Sequence, residues 1–559
     1  MNSIWNLKQI NEDRVNDIVK EFGIDKFLAK LLVARNIEDV KKFLKPTLDD
    51  IEEPSLIKDM DKFVDRVLKA LENKDKVCIY GDYDVDGITS ITLMYKYLTQ
   101  LGLEVDYYMP NRLTEGYGLS IEGLNEIKEN KKSDLIISVD CGITAVDEAV
   151  YAKKIGIDLI ITDHHTCPEV LPKAIAVINP KRVDDKSTYK YHAGVGVAFK
   201  CIMAISNKLG LGKDSYLKYL DIVALGTVAD IVALTGENRV LTKYGLEKMK
   251  VTKNIGLSSL IGICSMPELD SNFVSFSLAP RINACGRMGR ANVAVDMLLS
   301  TVKGQAGIMA DRLDTLNRER QSIEKDILSE ATERIENDLD KSGYVMYSEN
   351  WHNGILGIVA SRLVNKYNKP VILLTLENGV IRGSGRCPLS FNLYEALSKC
   401  SDLIVKFGGH KLAAGLTIDE SNIDKFAVKF DEICSLNKET FKDKTLDIDL
   451  ELTSLDLTSN TIKYINAFKP FGQENLEPVF MFKNFKVNSI STITDNKHLK
   501  LILKSGKVLI NAIGFSLGNR RDEIKLGDYI DIVGYLNVNR YNGAKTLQIV
   551  VKEFKKSIS

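Results

Sequence analysis

The chain has 559 residues, too many for a single hydrophobic core, so three or four domains are expected. Its 75 Lys and Arg residues balance 75 Asp and Glu residues, so the net charge indicates no class of partner and only local clusters can do so. The sequence shows no signal region, no run of about 18 apolar residues and no CxxC pair among its nine cysteines, which together indicate a cytoplasmic protein with reduced thiols and no membrane contact.

The first half of the chain has a parallel α/β pattern. Residues 1 to about 50 look helical, and from about 75 to 180 short apolar strands alternate with amphipathic segments. We predict strands at 77–80, 135–139, 159–162 and 174–178, and crossover helices at 93–101 and 146–155. Ligands of such sheets bind at the carboxyl ends of the strands, so the acidic residues that follow these strands are candidates for a site.

The second half begins with a mostly helical region at 195–265 and a long charged helix at about 305–340. This helix is expected to join two domains; the alternative is that it packs on one domain only. A second α/β unit follows at about 344–440, and short alternating strands between 479 and 551 predict a small β-barrel. From 481 to 559, 14 Lys and Arg face 6 Asp and Glu, a balance that suits a single-stranded nucleic-acid module, although a solvated basic face has the same composition.

A short acidic cluster follows the first strand. Asp82, Asp84 and Asp86 alternate along it. Two carboxylates about 4 Å apart repel by roughly 4 kcal/mol at an effective dielectric near 20, and a chain tolerates this when protons or cations neutralise the charge. An EF-hand loop would need an acid at its twelfth position, where this chain has Leu93. The cluster therefore predicts a metal site of another kind.

Three later motifs add acids and histidines. Asp140 ends another strand, Asp163-His164-His165 ends a third, and Asp230 follows an apolar run that begins at Ala224. Each alone has an ordinary structural explanation, such as capping a turn or helix. Together they supply oxygen and nitrogen ligands for two divalent cations, which would activate a water for in-line phosphoryl transfer. The mixed donor set favours Mn²⁺, with Mg²⁺ as the alternative.

These motifs match, in order, the four motifs of the DHH phosphoesterase superfamily. Further signatures are Glu115-Gly116-Tyr117-Gly118, Pro280-Arg281-Ile282-Asn283-Ala284, Trp351-His352-Asn353-Gly354, Gly383-Ser384-Gly385-Arg386 and Phe407-Gly408-Gly409-His410-Lys411-Leu412-Ala413-Ala414-Gly415. With them the chain resembles, over nearly its whole length, the RecJ family of single-strand-specific DNA exonucleases.

The resemblance implies a multidomain α/β fold, with a parallel-sheet DHH domain, a smaller α/β DHHA1 domain joined to it by a long helix, and a C-terminal OB-type β-barrel. The expected divisions are an N-terminal helical segment at 1–50, the DHH catalytic domain at 51–303, the connecting helix at 304–343, the DHHA1 domain at 344–440 and the OB-type nucleic-acid-binding domain at 441–559.

The resemblance also implies roles for individual residues. The metal ligands would be Asp82, Asp84, Asp140, His164 and Asp230. The catalytic residues would be His165, Asp140 and Asp163, with His165 in contact with the scissile phosphate. The residues in contact with DNA and its 5′-phosphate would be Arg112, Arg281, Ser384, Arg386, Gly409, His410 and Lys411. Asp163 and Asp86 are either ligands or supports that orient the ligands. Asp221 is the alternative to Asp230 as the metal ligand of the fourth motif. We favour Asp230 because of its spacing from Gly226.

The implied activity is metal-dependent 5′-to-3′ degradation of single-stranded DNA to mononucleotides, in DNA repair and recombination. A helicase or a single-strand-binding protein is the implied protein partner, but some relatives carry a further C-terminal domain and this sequence ends soon after the barrel, which argues against such contacts. Two other functions stay open: a phosphodiesterase for oligoribonucleotides or cyclic dinucleotides, whose relatives are generally shorter and lack the barrel, and a non-catalytic scaffold that holds single strands.

Overall fold

The computed structural model describes residues 3–110, 115, 118–265, 268–441, 445–541 and 544–557. The chain divides into two units, which we call the large unit and the small unit. The large unit comprises residues 52–232 and 236–442, and the small unit comprises residues 1–51, 233–235 and 443–559. Each unit is described by itself.

The described residues form the following strands: β1 (Ile4–Leu7), β2 (Lys76–Gly81), β3 (Glu104–Tyr108), β4 (Leu135–Val139), β5 (Asp158–Thr162), β6 (Ala176–Ile178), β7 (Tyr344–Tyr347), β8 (Val371–Glu377), β9 (Val380–Arg386), β10 (Lys406–Gly409), β11 (Ala413–Ile418), β12 (Thr445–Ile448), β13 (Leu450–Leu452), β14 (Phe480–Ile493), β15 (His498–Ser505), β16 (Val508–Gly514), β17 (Tyr529–Tyr541) and β18 (Ala544–Lys556).

The α-helices are α1 (Glu12–Phe22), α2 (Lys26–Ala34), α3 (Val40–Leu44), α4 (Met60–Asn73), α5 (Val85–Gln100), α6 (Ile121–Glu126), α7 (Val146–Lys154), α8 (Gly194–Lys208), α9 (Asp214–Leu217), α10 (Leu220–Ala229), α11 (Gly236–Met249), α12 (Ile255–Gly262), α13 (Ser271–Phe273), α14 (Ala279–Arg287), α15 (Asn292–Leu299), α16 (Lys303–Glu336), α17 (Asn353–Tyr367), α18 (Leu393–Ser398), α19 (Ile423–Ser435) and α20 (Ser459–Asn466). Over the described ranges, no helix has the length and apolar character that a membrane crossing requires.

The first sheet of the large unit is the predicted parallel sheet. Its strand order is β3-β2-β4-β5-β6, and every neighbouring pair is parallel. The central strand β4 is buried along its whole length, as strands covered on both faces are. The edge strand β3 is absent from the sequence prediction, because its half-exposed segment carries two acids among its five residues and shows no continuous apolar run.

Helix α5 begins earlier than the apolar pattern predicts. Its first residue is Val85 rather than Leu93, because Asp84 caps the helix by accepting a hydrogen bond from the Gly87 amide at 3.0 Å. Asp86 therefore lies in the first turn of the helix, where the exposed backbone N–H groups favour negative charge. The acidic cluster thus forms the junction between β2 and α5.

The second sheet of the large unit has the order β10-β11-β9-β8-β7. It belongs to the smaller α/β domain that the sequence predicts after the long helix. That helix, α16, has 34 residues and packs against α12, α14 and α15 and also against α17. It therefore contacts both α/β parts of the large unit.

The small unit contains the predicted barrel. Its strand order is β13-β14-β15-β16-β18-β17, and pairing of β14 with β17 closes it. Helices α1 and α2 pack on the barrel core, where Val15 and Leu31 lie in one cluster with Phe480 and Phe482. The segment before these helices was expected to be helical, but it forms the strand β1, which pairs in parallel with β12. The four residues of β1 are mostly exposed and too few to show a period.

A buried ion pair joins α8 to α11 in the large unit. The ammonium of Lys200 donates to the Oε2 atom of Glu237 at 2.8 Å, and the side chains are 1% and 4% exposed. The Oε1 atom of Glu237 accepts the Glu52 amide at 3.0 Å, and the Nε2 atom of His192 lies 3.5 Å from its Oε2 atom. This pair holds the middle of α8 against the start of α11; the N-terminal end of α8 provides two hydrogen bonds to the site described below.

Replacing Glu237 with Gln should destabilise the large unit strongly, because the Lys200 charge would stay buried without a counter-charge. We expect a loss of about 3–5 kcal/mol, measured by chemical unfolding. The matched control is Glu247→Gln, which breaks the surface pair with Lys250 and should leave the unfolding midpoint unchanged. Equal midpoints for the Glu237 and Glu247 variants would refute this role of the buried pair.

Candidate metal centre

Carboxylates and imidazoles from four segments meet at the carboxyl edge of the parallel sheet. Three groups have ligand atoms that all lie within 4.8 Å of one another: Asp82, Asp84 and Asp140; Asp86, His164 and Asp230; Asp140, His164 and His165. Strands β2, β4 and β5 end at the same edge because the sheet is parallel, which brings together residues far apart in the chain. All five residues predicted as metal ligands are in this cluster.

His164 lies at the centre of the cluster. Its Nε2 atom is 3.1 Å from an oxygen of Asp140, 3.7 Å from one of Asp230 and 3.9 Å from one of Asp86. Its side chain is only 8% exposed. Burial lowers the pKa of His164 to about 3, and the nearby His165 adds to the effect. The ring is therefore neutral, the form in which histidine binds a metal.

The carboxylates of the cluster are held close together in a buried place. Burial raises the pKa of Asp230 to about 9 and that of Asp86 to about 7, and the charge of Asp84 adds to both. Burial likewise raises the pKa of Asp140 well above its ordinary value, with Asp86 as the largest charged contributor. The Oδ2 atom of Asp230 is buried without a hydrogen-bond partner among the described residues. This donor set fits divalent cations, whose charge would stabilise the ionised carboxylates.

Helix α8 fixes the position of Asp86. The Gly194 and Val195 amides donate to its two carboxylate oxygens at 2.5 and 2.8 Å. A Cβ atom at Gly194 would lie 2.6 Å from the Oδ1 atom of Asp140, so glycine is required for this close approach. The N-terminus of α8 thus lies directly against the acidic cluster, and Asp86 is positioned by it.

Asp163 holds the third motif in place. Its Oδ1 atom accepts the amides of His164 and His165 at 2.7 and 3.0 Å, and its Oδ2 atom accepts the Ile143 amide at 2.8 Å. The Nδ1 atom of His165 lies 2.7 Å from the same Oδ1 atom. Burial acts to raise the pKa of Asp163, but these hydrogen bonds outweigh it and lower the pKa. Because both carboxylate oxygens of Asp163 already accept hydrogen bonds, Asp163 is better suited to orienting the ligands than to binding a metal itself.

His165 differs from His164 in being 45% exposed. Burial acts to lower its pKa, but the hydrogen bond to Asp163 and that residue's charge outweigh the effect and raise it. An imidazole in this position can donate to an anion that approaches from solvent.

Asp221 and Asp230 lie at opposite ends of α10. Asp221, near its start, accepts the Ile222 amide at 2.9 Å and a hydrogen bond from the Thr252 hydroxyl. Asp230, at its end, faces His164. Asp230 therefore belongs to the acidic cluster, whereas Asp221 is hydrogen-bonded at the other end of α10.

A cavity of about 400 Å³ opens beside the acidic cluster. Its lining residues are Asp82–Asp86, Ala229–Ile231, Asn283 and Arg287. Neither Asn283 nor Arg287 is among the predicted site residues, although their i, i+4 spacing after Pro280 places both on one face of a helix. Lys181 was also missed; its charge acts on the pKa values of His164 and Asp230, and its sequence context carries no signal for this.

The residues predicted to bind the 5′-phosphate lie in different places. Arg281 forms an ion pair with Asp314 at 2.9 Å, whereas Arg386 donates to the Ser384 hydroxyl at 3.1 Å on β9. Both of these β9 side chains lie against Gly357 of α17, where a Cβ atom would be 2.8 Å from Arg386. The start of α17 touches the cavity lining, because Arg287 donates to the Gly354 carbonyl at 3.0 Å.

Gly409 is the exposed last residue of β10, and His410 and Lys411 lie in the exposed connection to β11, where the His410 amide donates to the Ala413 carbonyl at 2.8 Å. Arg112 lies outside the described residues. Trp351 is 5% exposed and donates to Glu330 at 2.8 Å, so it is a core residue rather than a surface for stacking a base.

Comparison with protein-family models gives three matches along the chain. Residues 76–227 match the DHH family N-terminal domain, residues 340–436 match the DHHA1 domain, and residues 448–553 match the RecJ OB domain. These segments contain the parallel sheet, the second sheet and the barrel, which confirms the predicted fold class.

Full-length relatives agree with these matches. The single-stranded-DNA-specific exonuclease RecJ of Bacillus subtilis is 36% identical over 98% of this chain and 70% of its own length. That of Haemophilus influenzae is 34% identical over 94% of this chain and 95% of its own length. The crystal structure of RecJ in complex with Mn²⁺ from Thermus thermophilus superposes with a TM-score of 0.87 at 26% identity, covering 100% of this chain and 80% of that one. A related structure from the same organism holds Mg²⁺. The chain belongs to the RecJ family of single-stranded-DNA-specific exonucleases.

Proposed function

We propose that the chain is a two-metal exonuclease that degrades single-stranded DNA from its 5′ end to mononucleotides. The observation that carries the proposal is the meeting of five predicted metal donors, Asp82, Asp84, Asp140, His164 and Asp230, at one edge of the sheet. The raised pKa values of Asp140 and Asp230 indicate that charge is unbalanced there without cations. The same edge is next to a cavity that a strand end can enter.

Two divalent cations are the proposed cofactors. Asp82, Asp84 and Asp140 would hold one, and Asp140, His164 and Asp230 the other; the imidazole favours Mn²⁺, and Mg²⁺ is the alternative. When bound, the cations lower the pKa of water and stabilise the negative charge of the phosphoryl group in the transition state.

The remaining residues bind and orient. His165, held by Asp163 at 2.7 Å, donates a hydrogen bond to an oxygen of the scissile phosphate. The amides of α8 hold Asp86, so the carboxylates need no rearrangement when the substrate arrives. Arg287 and Asn283 extend from α14 along the cavity wall, where they meet the backbone of the strand.

Recognition of the 5′ end is assigned to Ser384 and Arg386. A guanidinium and a neighbouring hydroxyl suit a terminal phosphate dianion, and α17 links this pair to Arg287 beside the cavity. Arg112, Arg281 and the turn at Gly409, His410 and Lys411 are further proposed contacts. The basic barrel of the small unit is proposed to bind single-stranded DNA.

The proposed setting is DNA repair and recombination in the cytoplasm. A helicase would supply the single strand that this enzyme degrades, and a single-strand-binding protein would cover it, so either is a reasonable partner. An activity on short oligoribonucleotides or cyclic dinucleotides would leave the barrel without a role.

Asp230 should be required for metal binding and Asp221 should not. We expect Asp230→Asn to weaken Mn²⁺ binding by about 100-fold or more, measured by titration calorimetry, because it removes a carboxylate from the cluster. Asp221→Asn is the matched control, since this buried carboxylate is engaged by Thr252. A similar loss in both variants would contradict the assignment.

The metal-free protein should lose stability as the pH rises from about 4 to about 9. The pKa of Asp230 is about 9 in the folded state, whereas that of an ordinary solvated aspartate is 3.8, so the folded state binds more protons across this range. Mn²⁺ should raise the melting temperature more at pH 8 than at pH 6. Asp230→Asn should flatten the pH dependence; an unchanged slope would refute this origin.

Single-stranded DNA with a 5′-phosphate should be degraded to mononucleotides in the presence of Mn²⁺. End-labelled single-stranded and blunt duplex DNA, with and without chelator, resolve polarity and product length. Asp140→Ala should abolish the activity, because Asp140 belongs to two of the three donor groups. Equal rates on blunt duplex would refute the strand specificity, and faster cleavage of a dinucleotide than of a long strand would favour the short-substrate alternative.

A further inference from the structure

Ile231 has a backbone conformation that is unusual for its residue type. Asp230 is the C-cap residue of helix α10, and its amide donates to the Gly226 carbonyl at 2.9 Å. The next residue, Ile231, has φ of 62°. Glycine is the usual residue in the left-handed conformation after a helix, as Gly23 is after α1 with φ of 61°. A β-branched side chain is disfavoured there because its Cβ substituents crowd the backbone.

The Ile231 side chain gains no burial in return for this strain. It is 70% exposed, and it lines the cavity that also contains Asp82, Asp84 and Asp230. A single exposed apolar side chain is ordinary on a protein surface. Folding therefore does not explain why an exposed isoleucine, rather than glycine, occupies this strained position one residue from a member of the acidic cluster, and this indicates a contact that forms only when the cavity is filled.

The chemistry of the cavity indicates what this contact is. The other side chains that line it are mainly charged or polar, and they suit cations and phosphate. A nucleotide also has an apolar face, that of its base, which is uncovered in a single strand but stacked in a duplex. A branched aliphatic side chain can pack on that face, and it has no hydrogen-bonding group with which to prefer one base over another.

We propose that Ile231 packs against the base of one of the two nucleotides that flank the scissile phosphate, and so positions the strand end over the acidic cluster. The inference rests on the proposed nuclease function and adds a sequence-independent substrate contact to it. Ile231 acts on the substrate and leaves the cations to the carboxylates and His164.

Two substitutions separate the contact from the strain. Ile231→Ala removes the apolar surface and keeps a Cβ atom, whereas Ile231→Gly also removes the strain. Both should raise KM for a 5′-phosphorylated oligothymidylate by about fivefold to tenfold, as expected for losing one aliphatic contact. Mn²⁺ affinity by calorimetry should be unchanged. Ile231→Gly should raise the melting temperature by about 1–3 °C.

Lys74→Gly is the matched control for strain. Lys74 also follows a helix in the left-handed conformation, with φ of 59°, but it precedes β2 and thus lies at the edge of the sheet opposite the acidic cluster. This variant should gain stability to a similar degree and keep the KM of the unaltered chain.

An abasic nucleotide identifies the partner of Ile231. With an abasic site at the first or the second position, the difference in KM between the unaltered chain and Ile231→Ala should disappear for one of the two strands. A difference that persists with both strands, an unchanged KM for Ile231→Ala, or a loss of Mn²⁺ affinity in either Ile231 variant would overturn the proposal. If the unaltered chain does not cleave the oligothymidylate that has no abasic site, the proposed function fails instead.

Discussion

The arrangement of the large unit depends on the mutual repulsion of carboxylates that the fold holds together. Asp82, Asp84 and Asp140 converge at one edge of the sheet, and Asp230 approaches from the end of α10. Burial removes the water that would screen them, so their ionised forms are costly, as the raised pKa values of Asp140 and Asp230 show. A fold that holds this charge in place is prepared for a cation before the cation arrives.

The charges can be held because backbone groups, rather than mobile side chains, fix their surroundings. Amides of α8 bind Asp86, and amides of the third motif bind Asp163. A backbone amide cannot rotate away as a side chain can, so the positions of Asp86 and Asp163 are fixed before a ligand binds. The Lys200–Glu237 pair joins α8 to α11. A buried ion pair contributes little net stability, but it admits one arrangement of the two helices that it joins.

Much of this was readable in the sequence, because the motifs lie where a parallel sheet must place them. Asp82, Asp140 and Asp163 each follow an apolar strand, and parallel strands bring their carboxyl ends together. The strand β3 and the residues Arg287 and Lys181 were not predicted. The segment of β3 is short and polar. Arg287 lines the cavity through the packing of α14, and Lys181, in the loop after β6, acts on His164 and Asp230 through its charge; no local pattern describes either residue.

Two residues near the cluster, Asp140 and Ile231, adopt the left-handed conformation without being glycine. For Asp140 the conformation is tolerable, since aspartate is several-fold enriched there, and it turns the carboxylate from the end of β4 toward His164 at 3.1 Å. Isoleucine has no such tolerance, so its conformation must be imposed by the end of α10 and the chain that follows. The left-handed conformations of Asp140 and Ile231 both lower stability at this edge of the sheet; the first positions a charged side chain and the second an apolar one. Both side chains serve the same cavity, because an anionic polymer needs cations for its phosphates and an apolar surface for its bases.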